Sequence, residues 1–302
     1  MKRDFLNITD LKKEEIFYTF EKAKEYKEKR KNKIPLEKIM QGKSFGLLFE
    51  KPSSRTRLSF EVGIYQLGGF PLFMSSENLQ LIRGENIIDT AKIFNLYLDG
   101  LIIRTFQQKE VEIISKYVDF PVINALTDQF HPCQVMADFF TLWEIYKNFK
   151  NITLLYIGDG NNICNTLILG ADILGIKMNI CTPEKYKVKK EIWDMVKNKN
   201  LFNETIEPKK FIKESNIIYT DSWISMGQEK EKNKRKKVFL PYQVNKQLVK
   251  NAPKKFLFMH CLPAHRNWEV TDDILDGPNS IILKQAENRL FVQQALLYFL
   301  YK

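Results

Sequence analysis

The segment Ser53-Ser54-Arg55-Thr56-Arg57 puts three hydroxyls and two guanidiniums into five consecutive residues. It follows the short apolar run 44–49, which predicts a buried strand. It precedes apolar positions from Leu58 at helical spacing that stop at Gly68-Gly69. A strand-to-helix turn offers unpaired backbone N–H groups and the positive end of the helix dipole, which attract anions. Guanidinium forks bind phosphate bidentately and hydroxyls add short-range donors, so this composition suits a phosphate group held without a metal. The same residues would also serve an N-capped surface helix with two solvated arginines.

All three histidines fall in two stretches, His131-Pro132-Cys133-Gln134 and His260-Cys261-Leu262-Pro263-Ala264-His265. Each follows a predicted strand, 121–124 or 256–259, and so lies at the carboxyl edge where α/β sheets bind ligands. Two chemistries are open. His131, Cys133, His260 and Cys261 could form a zinc site, although their spacing fits no standard zinc pattern. Alternatively, His131 and Gln134 contact a carbonyl or amide while Cys261 contacts a second substrate.

Gly158-Asp159-Gly160-Asn161-Asn162-Ile163 follows a predicted strand at 152–157 and opens a helix, as a dinucleotide site would. It lacks the third glycine, and the next strand ends Ile180-Cys181-Thr182 without an acid for a ribose. Its two asparagine amides at a helix N-terminus suit a carboxylate. No Walker sequence occurs. Asp221-Ser222-Trp223-Ile224-Ser225-Met226-Gly227, after a predicted strand at 217–220, offers a carboxylate for an ammonium group and hydroxyls for a carboxylate. An Asp-capped loop around a core Trp223 would read the same way.

The elements that must position these residues alternate strand and helix in two successive sets, which predicts an α/β protein of two domains, each a parallel sheet flanked by helices. A length of 302 residues agrees, at ~150 residues per domain. A helix over 8–31 opens the chain, the helical segment 139–150 reads as a connector, and the apolar run 290–300 must pack against something. With 44% hydrophobic residues the chain is not disordered. Four scattered cysteines, no secretory h-region and no run of ~18 apolar residues predict a cytoplasmic protein without a membrane partner. The net charge of +11 favours anionic partners. The basic stretches 22–33 and 230–237 read as solvated faces. Nucleic-acid binding through 230–237 lacks aromatic interleaving and any reader motif.

Taken together and in order, Phe49-Glu50-Lys51 with SSRTR, Arg104, HPCQ at 131–134, GDGNN at 158–162, DSWISMGQE at 221–229, HCLP at 260–263 and QAENR at 285–289 resemble the aspartate/ornithine carbamoyltransferase family, and its ornithine-type members most. The resemblance implies transfer of the carbamoyl group of carbamoyl phosphate to the δ-amine of L-ornithine, with no cofactor and no metal. It implies a carbamoyl-phosphate domain over 1–135 plus 286–302, an ornithine domain over 136–285, and a last helix that packs back on the first domain. Ser53, Ser54, Arg55, Thr56 and Arg104 would bind the phosphate, Arg57 would support the loop, and His131, Gln134 and Arg289 would hold the carbamoyl group. Cys261 and Leu262 would lie against the carbamoyl group beside the δ-amine, with Cys261 flanked by cations. Asn162, Asp221, Ser225 and Met226 would hold the amino-acid end of ornithine. Arg55, Arg104, His131 and Cys261 would be the catalytic groups, and Gln80 would reach a neighbouring subunit's site in a homotrimer. Ser54 stands where the family has a threonine, Ile82 where glycine is common, and Lys92 and Leu96 where arginines are frequent. Acetylornithine, putrescine or aspartate are the alternative amines.

Overall fold

The computed structural model describes residues 2–75, 85–224, 227 and 229–302. Gln80, Ile82, Ser225 and Met226 therefore lie outside the described residues. The chain divides into two compact units, Met1–Phe140 with Glu287–Lys302, and Thr141–Ala286.

In the first unit, α1 (Lys13–Lys31) precedes β1 (Ser44–Phe49), α2 (Ser54–Gln66), β2 (Phe70–Ser75), α3 (Ile87–Tyr97), β3 (Gly100–Arg104), α4 (Gln108–Lys116), β4 (Val122–Leu126) and the start of α5 (Pro132–Tyr146). The four strands pair in parallel in the order β2-β1-β3-β4. Strands β1, β3 and β4 are apolar and buried along almost their whole length, as a sheet covered on both faces requires. The other edge strand, β2, is half exposed and contains Pro71, a residue an edge tolerates. Its exposure hides the alternation that would have predicted it.

The second unit continues through β5 (Thr153–Ile157), α6 (Asn162–Leu174), β6 (Lys177–Cys181), α7 (Lys190–Met195), β7 (Phe202–Thr205), β8 (Ile217–Thr220), α8 (Lys232–Phe239), α9 (Lys246–Val249), β9 (Leu257–His260) and α10 (Asp272–Leu275). Its sheet is parallel in the order β7-β6-β5-β8-β9. α6 ends at Gly175, whose φ of 76° is the left-handed cap that glycine adopts without strain. The last helix, α11 (Ile282–Tyr301), starts in the second unit and belongs to the first from Glu287 onward.

Two predicted helices have different bounds. The first begins as a short turn at Ile8–Asp10, because Asn7 and Asp10 close a capping box there, and α1 proper starts at Lys13. The connector starts earlier, since Pro132 is pre-organised for the first helical position. Among the described residues no helix is long and apolar enough to cross a membrane.

α11 docks on the first sheet through its end. Tyr301 donates its hydroxyl to the Asp99 carbonyl and its ring meets Phe45 edge-on at 5.2 Å. A Cβ at Gly100 would sit against that hydroxyl and 2.6 Å from the Phe45 ring. Gly100→Ala should therefore cost about 1–3 kcal/mol of stability by overpacking, and adding Tyr301→Phe should recover part of it. Denaturant unfolding of the three proteins checks this, and an unchanged midpoint for Gly100→Ala would contradict the packing described.

Candidate active site

Both sheets reverse their strand order once, between β1 and β3 in the first and between β5 and β8 in the second. Loops leaving the carboxyl ends of the strands at such a reversal part from each other and leave room for a ligand. The sequence motifs sit at or beside these two points.

In the first unit Ser53 caps α2, its hydroxyl accepting from the Thr56 N–H at 3.3 Å, so Ser54, Arg55 and Thr56 form the first turn. Phe49, the last residue of β1, lies in register with Arg104, the last of β3. Lys51 is buried, pairs with Asp128 and sits 4.1 Å over the Phe106 ring, which ties this loop to the one that precedes His131. Arg289 of α11 donates to the Thr56 hydroxyl at 2.7 Å. Arg57 is engaged elsewhere, with Glu61 at 2.8 Å and over Phe73 at 3.6 Å, so it supports the turn.

His131 is buried at the head of α5. Burial first, and then the charges of Arg289 and Arg104, hold its imidazole well below the usual histidine pKa and therefore neutral. Gln134 in the first turn of α5 gives its amide N–H to Asp138 at 2.8 Å. Its buried Oε1 has no partner among the described residues, which leaves an acceptor for an N–H donor. The structure thus gathers the phosphate-type donors, two buried guanidiniums, a neutral imidazole and an amide oxygen within one unit.

In the second unit Asn161 caps α6, its Oδ1 accepting from the Ile163 and Cys164 N–H groups. Its Nδ2 donates to Asp221 Oδ2 at 2.7 Å, directly across the β5/β8 reversal. Asp221 Oδ1 accepts from the Ser222 N–H at 2.7 Å and from the Cys261 thiol at 2.9 Å. Cys261 thus has a carboxylate beside it, contributed by the neighbouring strand end.

Next to it, His260 accepts the Leu262 N–H at Nδ1, 2.9 Å away, so its Nε2 carries the proton and faces the buried Glu269 at 3.3 Å. Leu262 itself has φ 59°, a strained value for leucine that this contact helps to hold. Asp221, His260 and Cys261 have ligand atoms within 4.8 Å of one another. Of these atoms, His260 Nδ1 accepts the Leu262 N–H and the Cys261 thiol donates to Asp221. In the other zinc set considered, Cys133 gives its thiol to the Asn124 carbonyl, and burial pushes it up to about 12.

Arg235, within a basic stretch expected to be solvated, is buried and charge-paired with Asp159. Its Nε donates to the Trp223 carbonyl, and its guanidinium lies over Tyr186 at 4.6 Å. Burial outweighs that pairing and pushes the Asp159 carboxyl up to about 6. The sequence signal for Arg235 was Phe239, one turn on, which shares the inward face of α8. Glu269 carried no such signal, whereas Asn161 was one of the two amides expected at this helix N-terminus and Lys51 stood beside the SSRTR motif.

Two family models match the chain, the aspartate/ornithine carbamoyltransferase carbamoyl-P binding domain over residues 3–144 and the Asp/Orn binding domain over residues 150–300. The chain is 47% identical over 302 residues to an ornithine carbamoyltransferase of Oceanobacillus iheyensis, covering 98% of this chain and 93% of that protein. It is 44% identical over 300 residues to one of Pyrococcus furiosus named anabolic, covering 98% and 95%. The solved structure of the Pyrococcus furiosus ornithine carbamoyltransferase superposes with a TM-score of 0.94 at 43% identity, covering 99% of this chain and 96% of that one.

A neutral His131 has a direct consequence. Its ring proton resonance, assigned by loss in His131→Gln, should stay at the neutral position as the pH falls through the ordinary ~6.5. Titration near 6.5 would contradict the electrostatic environment described.

Proposed function

The chain belongs to the aspartate/ornithine carbamoyltransferase family, and on that premise we propose that it transfers the carbamoyl group of carbamoyl phosphate to the δ-amine of L-ornithine, giving L-citrulline and phosphate. The first unit holds carbamoyl phosphate. Ser53, Ser54, Arg55 and Thr56 take the phosphate at the α2 N-terminus with Arg104, and the buried cations favour its dianion. His131 and Arg289 donate to the carbamoyl oxygen, and the Gln134 Oε1 accepts from its amino group.

The second unit holds ornithine. The observation that carries the reading is the Asp221 carboxylate, fixed in place by Asn161, Ser222 and Cys261; in this reading it pairs with the ornithine ammonium group. Aspartate as substrate would bring further negative charge to this unit, and putrescine has no carboxylate for the Asn162 end of α6. Ser225 and Met226 complete the amino-acid contacts in this reading, and Cys261 with Leu262 lines the δ-amine.

In the reaction the neutral δ-amine adds to the carbamoyl carbon, the bond to the phosphate oxygen breaks and the amine gives up one proton. Charge grows first on the carbonyl oxygen and then on phosphate, and the preorganised donors His131, Arg289, Arg55 and Arg104 stabilise both. Because His131 is neutral it polarises the carbonyl without protonating it. Holding two substrates in line supplies much of the remaining acceleration.

We place the enzyme in the cytoplasm, in line with four free thiols, and working toward arginine synthesis, as its anabolic relative is named. We also assign it a homotrimer. Supporting that assembly, α2 exposes Leu58, Val62 and Tyr65 at helical spacing and α3 exposes Ile93, Leu96 and Tyr97, apolar side chains of the kind a subunit interface covers.

Citrulline formation with carbamoyl phosphate and a panel of amines should favour ornithine over aspartate, putrescine and acetylornithine by at least about a hundredfold in kcat/KM, since a site built for a polar group rejects analogues that lack it. Preference for another amine would sink the assignment. Arg55→Ala should weaken carbamoyl phosphate binding by about 1.5–3 kcal/mol, while Asp221→Ala should leave it intact and abolish saturation by ornithine. Equal loss of carbamoyl phosphate binding in calorimetry of both variants would refute this division of labour.

A further inference from the structure

The amino-acid loop that begins at Asp221 runs into α8, and a single short segment touches both of its ends. At the start, Ser222 Oγ lies 3.1 Å from His265 Nδ1. That hydroxyl gives its one hydrogen to the Ile224 carbonyl at 3.0 Å, so the bond to His265 is donated by the ring Nδ1–H. The buried Glu269 Oε2 lies 3.8 Å from the same nitrogen. Glu269 also accepts the His265 backbone N–H, which fixes the residue from behind.

At the other end, the His265 ring lies against Trp268, centroids 5.7 Å apart. The Trp268 ring carries Lys236 at 4.3 Å and Lys232 at 5.1 Å, two cations one turn apart on α8. An ammonium over an indole face is attracted by the ring quadrupole. The inward face of the same helix is held by Arg235 and Phe239, so α8 is gripped on two sides.

We propose that His265 and Trp268 form a clip that fixes both ends of the amino-acid-binding loop, Ser222 at its start and α8 at its end, and so act as positioning residues for ornithine. The proposal rests on the ornithine reading above. Neither residue touches the reacting atoms in that reading. They act through Ser222, the residue after Asp221, and through the helix that closes the loop, so their removal changes ornithine binding and leaves the carbamoyl phosphate half untouched.

Steady-state kinetics of the full-length enzyme test this. Trp268→Ala should raise the KM for ornithine about tenfold, with kcat within about twofold and the KM for carbamoyl phosphate unchanged. Trp268→Phe, which keeps an aromatic face, should recover most of the loss. His265→Asn, whose amide can donate to Ser222, should bind ornithine better than His265→Leu. Exchanging Lys232 and Lys236 together for methionine should raise the ornithine KM in the wild type and add nothing to Trp268→Ala. If Trp268→Ala does not fold, the Trp268→Phe and lysine variants decide. An active wild type whose lysine-pair variant keeps its ornithine KM overturns the clip, as does a parallel loss of kcat and of both KM values. A wild type that does not carbamoylate ornithine instead overturns the functional reading.

Discussion

Right-handed crossovers between parallel strands force successive loops to opposite faces wherever strand order reverses, and each unit of this chain reverses once. That constraint decides where polar groups can converge without filling the space with backbone. Strand β1 leads into the Ser53–Thr56 turn while its neighbour β3 ends at Arg104. Strand β5 leads into the Asn161 cap while its neighbour β8 delivers Asp221. The Asn161–Asp221 hydrogen bond bridges the second reversal and is the shortest statement of its geometry. His131 and Cys261 come from the next strands outward, β4 and β9, so each unit draws its groups from three adjacent strand ends.

The two units use the same architecture with opposite electrostatics. Arg104 and Arg289 are buried in the first, and their field adds to the burial that chiefly holds His131 neutral. Desolvating a cation is costly, and an anionic ligand with several charges offsets that cost best. In the second unit the buried groups near the strand ends are Asp159, Asp221 and Glu269, balanced by Arg235, by thiol and imidazole donors and by backbone N–H groups. Such a set accepts hydrogen bonds and favours a cationic ligand. A phosphate-bearing donor and an ammonium-bearing acceptor are the pair these fields separate.

The architecture was legible because buried parallel strands read as unbroken apolar runs and because glycine, proline and capping residues mark the turns between them. The edge strands β2 and β7 were not legible, since one side of each faces solvent and their composition, FPLFMS and FNET, carries no sustained pattern. The phosphate-type turn was legible because a strand end, a capping serine and two arginines lie in consecutive residues. The environment of Cys261 was not, because its partner Asp221 is 40 positions away and brought close only by the β8–β9 pairing. Arg235 was hidden for another reason: in a run of lysines, charge count alone marks a solvated face, and only the buried Phe239 on the same side of the turn distinguishes the one cation that faces inward.

The GDGNN loop shows how a glycine pattern can keep its local physics and change its purpose. In a dinucleotide fold the second glycine lets backbone approach a pyrophosphate. Here a Cβ at Gly160 would lie 2.8 Å from the backbone of Tyr186, Lys187 and Val188, so the close approach is to the protein's own chain, with the Gly160 N–H bonded to the Tyr186 carbonyl at 2.9 Å. That contact presses the loop onto the 186–188 segment, whose Tyr186 ring in turn covers the Arg235 guanidinium. Asp159 turns inward to the same guanidinium, and Asn161 turns to Asp221. A buried ion pair of this kind adds little net stability, because desolvation cancels much of its attraction. What it provides is direction: arginine has a planar fork that reaches the Asp159 carboxylate and the Trp223 carbonyl at once, which a lysine ammonium does not reproduce in one plane. The loop after β5 and the loop after β8 are thereby fixed relative to each other before any ligand arrives.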